Sequence, residues 1–124
     1  MEIKTYFLDT YVFFELIKGN KNYERFIKNI NFITTKFNLM ELYYGLLVKH
    51  GKKIADLHYD LNVGYCVDIS DETIKEAMLF RVSNKHKNLS YIDCVGYILS
   101  KKLGINFLTG DKKFENLDNV EFVK

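Results

Sequence analysis

The stretch Leu89–Leu117, LSYIDCVGYILSKKLGINFLTGDKKFENL, decides how the rest of the chain is read. Its first half has the length and apolar spacing of a helix, with Ser90 near the start and Gly104 at the end. INFLTG, residues 105–110, then reads as a buried strand, and Asp111 follows it directly. One acid, Asp93, stands in the helix among Tyr91, Ile92, Cys94, Val95, Tyr97, Ile98 and Leu99. Helix, strand and a carboxylate just past the strand make up the repeating unit of an α/β fold. In such folds, ligands gather outside the carboxyl ends of parallel strands.

TYFLDTYVFFELIKG, Thr5–Gly19, ends its strand the same way, with Asp9 beyond IKTYFL and a helix running on toward Gly19. Between these two blocks, NYERFIKNI reads as a helix, NFITTK as a second strand, and FNLMELYYGLLVKHG and KKIADLHYDLN as two further helices. GYCVDI reads as a third strand, and Ser70 and Asp71 cap a helix through ETIKEAMLFRVSNKH. With INFLTG as the fourth strand and VEFV as a short fifth, strands alternate with helices throughout. That pattern predicts an α/β fold, three-layer α/β/α, with a mainly parallel central sheet. The absence of proline, low-complexity tracts and repeats leaves no internal boundary, so residues 1–124 are read as a single domain.

Composition narrows the function classes. Apolar residues make up 48% and charged ones 27%, as in a globular protein. A net charge of +2 is too small to argue nucleic-acid binding by itself, so any steering must come from local patches. No apolar run is long enough for a membrane span, and acids interrupt the first residues where a signal peptide needs an unbroken apolar stretch. Cys66 and Cys94 lie in apolar surroundings and read as reduced core thiols of a cytoplasmic protein. His50, His58 and His86 lack zinc spacing with either cysteine.

Four acids then stand out. Glu41 is the lone acid in a helix apolar nearly all round, with Gly45 on the same face, where its small size is expected to make room beside the carboxylate. Asp93 shares its face with Ser90, Gly96 and Ser100. Asp9 and Asp111 follow strands. Each has a plain structural alternative: caps for Asp9, Thr10 and Asp111, and pairing with Lys49 or Lys101 for Glu41 and Asp93. If all four converge, two carboxylates about 4 Å apart repel by roughly 4 kcal/mol at an effective dielectric near 20. Such a cluster requires cations, and oxygen-only ligands favour a hard ion, Mg2+ or Mn2+. An ion of that kind acidifies water and stabilises charge on a phosphodiester.

On FLDTYVFFELIKG, FNLMELYYGL and the opening block, the sequence resembles PIN-domain ribonucleases, especially the compact VapC-type toxins. The resemblance runs over essentially the whole chain. It implies a parallel sheet in the order 3-2-1-4-5, with Asp9, Glu41, Asp93 and Asp111 on the acidic positions and Thr10 and Thr109 on the accompanying hydroxyl positions. It also implies a metal-dependent endoribonuclease, the toxin of a toxin–antitoxin pair, that hydrolyses phosphodiester bonds of single-stranded or loop RNA. Many relatives are homodimers, and toxin members are held inactive by an antitoxin that occupies the site. The chain departs from some relatives in lacking a basic, longer middle section, and in the bulk of SYIDC before its acid, which bears on substrate choice. Candidate RNA contacts are Lys112 and Lys113, then Lys85, His86 and Lys87, and Lys49, Lys52 and Lys53. Two rivals remain: a non-catalytic binding module on the same fold, and a phosphoacceptor receiver domain using Asp68.

Overall fold

The structure, a computed structural model, describes residues 3–124. The chain runs β1 (Thr5–Leu8), α1 (Thr10–Ile17), α2 (Lys21–Ile27), β2 (Asn31–Ile33), α3 (Lys36–His50), α4 (Lys52–Asn62), α5 (Asp71–Ser83), α6 (Tyr91–Lys102), β3 (Asn106–Thr109) and β4 (Val120–Phe122). Short 3-10 turns at Val63–Tyr65, Lys85–Lys87 and Lys112–Phe114 join some of them.

Alternation along the strands builds the three layers. Tyr6 and Leu8 of β1, with Leu108 of β3, pack against Val12, Phe13, Tyr23, Leu39, Leu42 and Leu46 on one side of the sheet. Phe7 and Phe107, the intervening residues, face Ala77, Cys94, Val95, Tyr97 and Leu99 on the other. Both faces are covered by helices, which is why these strands read as continuous apolar runs. Cys94 is buried and Cys66 half-buried, both as free thiols, and burial pushes the Cys94 thiol up to about 11.

All strand pairs are parallel, in the order β2-β1-β3-β4. The sheet has four strands where the sequence suggests five. The expected strand GYCVDI is reduced to one parallel bridge, Thr34 with Cys66, flanked by backbone hydrogen bonds from Thr34 to Tyr65 and from Val67 to Thr34. The reason lies in its neighbour: β2 ends at Ile33 and Thr35 already caps α3, so little edge remains to pair with. The bridge still sits outside β2, and the order expected from the resemblance survives in shortened form. The reversal of strand order falls between β1 and β3.

Two glycines act differently from what their spacing suggests. A Cβ on Gly45 would lie 2.5 Å from the Phe14 ring, so this glycine makes room for α1 against α3 and not for the Glu41 carboxylate. A Cβ on Gly96 would lie 2.7 Å from Phe7 and 3.3 Å from Phe107, letting α6 lie close on the sheet. Those two rings are stacked and fully buried, with little freedom to retreat. Gly96→Ala is therefore expected to destabilise the fold by about 1–3 kcal/mol through overpacking, measured as a fall in the urea midpoint at unchanged slope.

The α3 helix is also less buried than its composition suggests. It buries Asn38, Leu39, Leu42 and Leu46 and leaves Met40, Tyr44 and Val48 exposed.

Candidate active site

Asp9 follows β1 and occupies the N-cap position of α1, yet its side chain makes no capping bond. Instead Oδ2 accepts from the Thr109 hydroxyl at 2.7 Å, tying the end of β1 to the end of β3. The residue is only 4% exposed. No buried side-chain nitrogen or oxygen among the described residues lacks a partner, and Oδ1 has no protein partner there, so Oδ1 is the atom that keeps access to solvent.

Thr109 accepts in turn from the Asp111 backbone N–H at 3.0 Å, and Asp111 Oδ1 accepts from the Lys113 N–H. Asp111 thus caps its 3-10 turn while standing beside the site, and cap and site position coincide. Asp93 behaves alike. It lies in the first turn of α6, where Oδ2 accepts from the Ser90 N–H at 2.9 Å and Ser90 Oγ accepts from the Asp93 N–H at 3.0 Å. This capping box, and not a mid-helix position, is what admits a charge into so apolar a helix. Glu41, half-buried on α3, accepts at Oε1 from the Thr10 hydroxyl at 2.7 Å.

Three of these carboxylates are raised by burial and by neighbouring acids. Burial, then Asp93, Asp111 and Glu41, push Asp9 up to about 8, with the Thr109 hydrogen bond opposing. Glu41 is raised by burial and by Asp93, and Asp93 by burial and by Asp111. Among the described residues no ion pair reaches any of the four, and Lys101, one suggested partner, pairs with Asp118. Nor does any group of three or more acid, histidine or cysteine side chains there stand close enough to hold a metal ion as it is. The acids share one electrostatic environment at the carboxyl ends of β1 and β3, with oxygen as the only donor type. That donor set suits a hard divalent ion that retains part of its water.

Of the basic candidates, Lys113 acts on the site: its charge eases the shift on Asp93, and its ammonium donates to the Asn88 carbonyl at 3.3 Å. Lys52 is engaged by Asp56 at 2.6 Å. Asp68 is exposed beyond the one-residue bridge, away from Asp9, which removes the geometry a phosphoacceptor needs.

Reading for acids passed over Thr35 and Asn38. Both are buried, and Asn38 donates to Thr10 at 3.0 Å. Thr35-x-x-Asn38 at a helix start was the available signal.

Carboxylates gathered at the switch point of a parallel, doubly covered sheet define an acid-lined α/β/α domain. The sequence profile of the PIN domain matches residues 6–120, and the chain belongs to that family. The fold is that of VapC-type toxins. VapC20 of Mycobacterium tuberculosis, a sarcin-ricin-loop-cleaving toxin, superposes with a TM-score of 0.80 at 18% identity over 95% of this chain and 96% of that one. A toxin–antitoxin complex from Klebsiella pneumoniae gives 0.73 at 14% identity over 93% and 94% of the two chains. VapBC-1 of nontypeable Haemophilus influenzae gives 0.74 at 14% identity over 97% of each chain. Comparison with curated proteins by sequence gave no match.

Proposed function

We propose that this PIN domain is a Mg2+- or Mn2+-dependent endoribonuclease and the toxin of a toxin–antitoxin pair. The observation that carries the proposal is the placing of Asp9 and Asp111 at the ends of the two central strands, with Thr109 bonded to Asp9 and Thr10 to Glu41, in a chain of this family. Asp9, Asp93 and Asp111 would hold the ion, directly or through water, and Glu41 would complete the site. When bound, the ion supplies Lewis-acid stabilisation of charge developing on the phosphodiester.

The protein's own side chains do the positioning. Thr109 fixes one Asp9 oxygen and leaves the other open, while Thr10 fixes Glu41. Ser90 holds Asp93 against the start of α6. Lys112 and Lys113, exposed just past Asp111, are placed to attract RNA phosphates in a salt-dependent way. No helix among the described residues is long and apolar enough to cross a membrane. We take RNA as substrate, the cytoplasm as the place of action, an antitoxin as the inhibitor and a homodimer as the assembly. RNA follows what the name of the sarcin-ricin-loop-cleaving toxin says of that protein, and an antitoxin partner follows the names of the toxin–antitoxin complexes. The cytoplasm follows the sequence reading, and inhibition by the antitoxin and the dimer follow the family resemblance.

The test is cleavage of a fluorescent RNA with and without chelator, beside Asp93→Asn. Loss of a carboxylate that holds the ion is expected to lower cleavage by at least about 100-fold, more than loss of a supporting partner does. Unchanged cleavage in the variant would overturn the assignment. Manganese-stabilised folding without RNA turnover would favour the non-catalytic module.

A further inference from the structure

We infer that Asn38 is a positioning residue whose side-chain amide directs the Thr10 hydroxyl proton onto Glu41. The inference rests on the metal-site reading above and adds a residue to it.

A chain of hydrogen bonds runs from the start of α3 to the site. The Thr35 hydroxyl donates to Asn38 Oδ1 at 2.6 Å, Asn38 Nδ2 donates to Thr10 Oγ1 at 3.0 Å, and Thr10 Oγ1 donates to Glu41 Oε1 at 2.7 Å. Thr35 Oγ1 also accepts from the Asn38 backbone N–H at 3.2 Å. Thr35, Asn38 and Thr10 are all buried, so bulk water does not scramble the pattern.

The proton count fixes the direction. Each hydroxyl has one proton, and an amide has a donor end and an acceptor end. Were Asn38 turned the other way, Thr10 would face two acceptors with a single proton. Thr35 would meet two donors, and its own proton would have no acceptor. Only the arrangement described gives every contact one proton. Thr35 therefore sets which end of Asn38 faces Thr10. That end, being a donor, leaves the Thr10 proton no other acceptor than Glu41. Asn38 acts through Thr10 and touches neither ion nor RNA.

The test is a cycle of Asn38→Asp and Thr10→Val, read by calorimetric Mn2+ titration. Asn38→Asp keeps the shape and replaces the donor with an acceptor. A further negative charge beside a cation site would by itself tighten Mn2+ binding, whereas turning the Thr10 proton away from Glu41 weakens it. The expected result is a Kd about tenfold higher, the scale of a supporting partner. That loss should vanish in the Thr10→Val background, and Thr10→Ser should behave as wild type. A Kd unchanged or tightened in Asn38→Asp, or the same loss with Thr10 removed, overturns the inference.

Should Asn38→Asp fail to fold, the inference is judged on the wild-type protein by the NMR measurement that follows. If the wild type takes up no Mn2+, the metal reading fails, and the inference is judged on the metal-free protein by NMR. There the Thr10 hydroxyl proton should show its cross-peak to the Glu41 side chain. A cross-peak to the Asn38 Cβ protons in its place overturns the inference.

Discussion

Asp9→Asn is expected to raise the melting temperature of the metal-free protein at pH 7 by about 10 °C while removing RNA cleavage. Asp9 is almost wholly buried, and burial with three neighbouring acids lifts its carboxyl from 3.8 to about 8. At pH 7 the unfolded chain prefers the ionised form that the fold resists. At about 1.4 kcal/mol per pKa unit, partly relieved by relaxation, this costs about 2–4 kcal/mol. An asparagine of the same shape can still accept from Thr109, turns its amide toward the other acids, and carries no charge to desolvate. A gain of that size corresponds to about 4 °C per kcal/mol in a domain of this length. The advantage should shrink toward pH 4, where the aspartate is protonated in the fold and nearly half so in the unfolded chain. Scanning calorimetry of both proteins at the two pH values, with an RNA cleavage assay at pH 7, checks it. An unaltered midpoint at pH 7, or retained cleavage, would sink the account. On the proposed function, stability and activity are opposed here because the group assigned to the cation is one that folding alone would remove.

The second large effect concerns the wild type. A group whose pKa is raised by folding stabilises the protein fully below its unfolded value, and that contribution is lost as pH rises through its folded value. Asp9 sets the window from about 4 to about 8, and Glu41 and Asp93, also raised, act with the same sign. Glu15, Asp56 and Asp118 are lowered and act oppositely, as pH falls through the acid range, so they do not mask the trend above about pH 5. The metal-free protein should melt at progressively lower temperature between pH 5 and pH 8. Mn2+ should reverse the loss, and more strongly at pH 8 than at pH 5, because proton and ion compete for the same oxygens. At a hundredfold excess over Kd the ion contributes about 2.7 kcal/mol. A midpoint that climbs from pH 5 to pH 8 without metal, or a Mn2+ shift indifferent to pH, would contradict a shared anionic site.

Both effects depend on oxygens gathered from residues a hundred positions apart, and the sequence was informative about some parts of that gathering. Strand-then-acid at Asp9 and Asp111 was legible because a buried parallel strand is a continuous apolar run, and its end is marked by the first polar residue. Helix starts at Ser70 and Ser90 were legible because capping is local chemistry.

Other features depend on what lies across the fold. The third strand failed because β2 ends one residue before Thr34, which GYCVDI does not reveal. Gly45 and Gly96 answer to Phe14 and Phe7 on other elements, so spacing along one helix misassigned Gly45 to its neighbouring carboxylate. The exposed face of α3, at Met40, Tyr44 and Val48, is as apolar in sequence as the buried one. By itself the sequence determined the parallel three-layer class and most of the element order, because these follow from local pattern, and it singled out the four acids as candidates. Only the tertiary structure decided that Thr109 bonds Asp9, that Asn38 reaches Thr10, and that the acids share one field. Hydrogen bonds and Coulomb forces act through distance in space, and distance along the chain does not predict it.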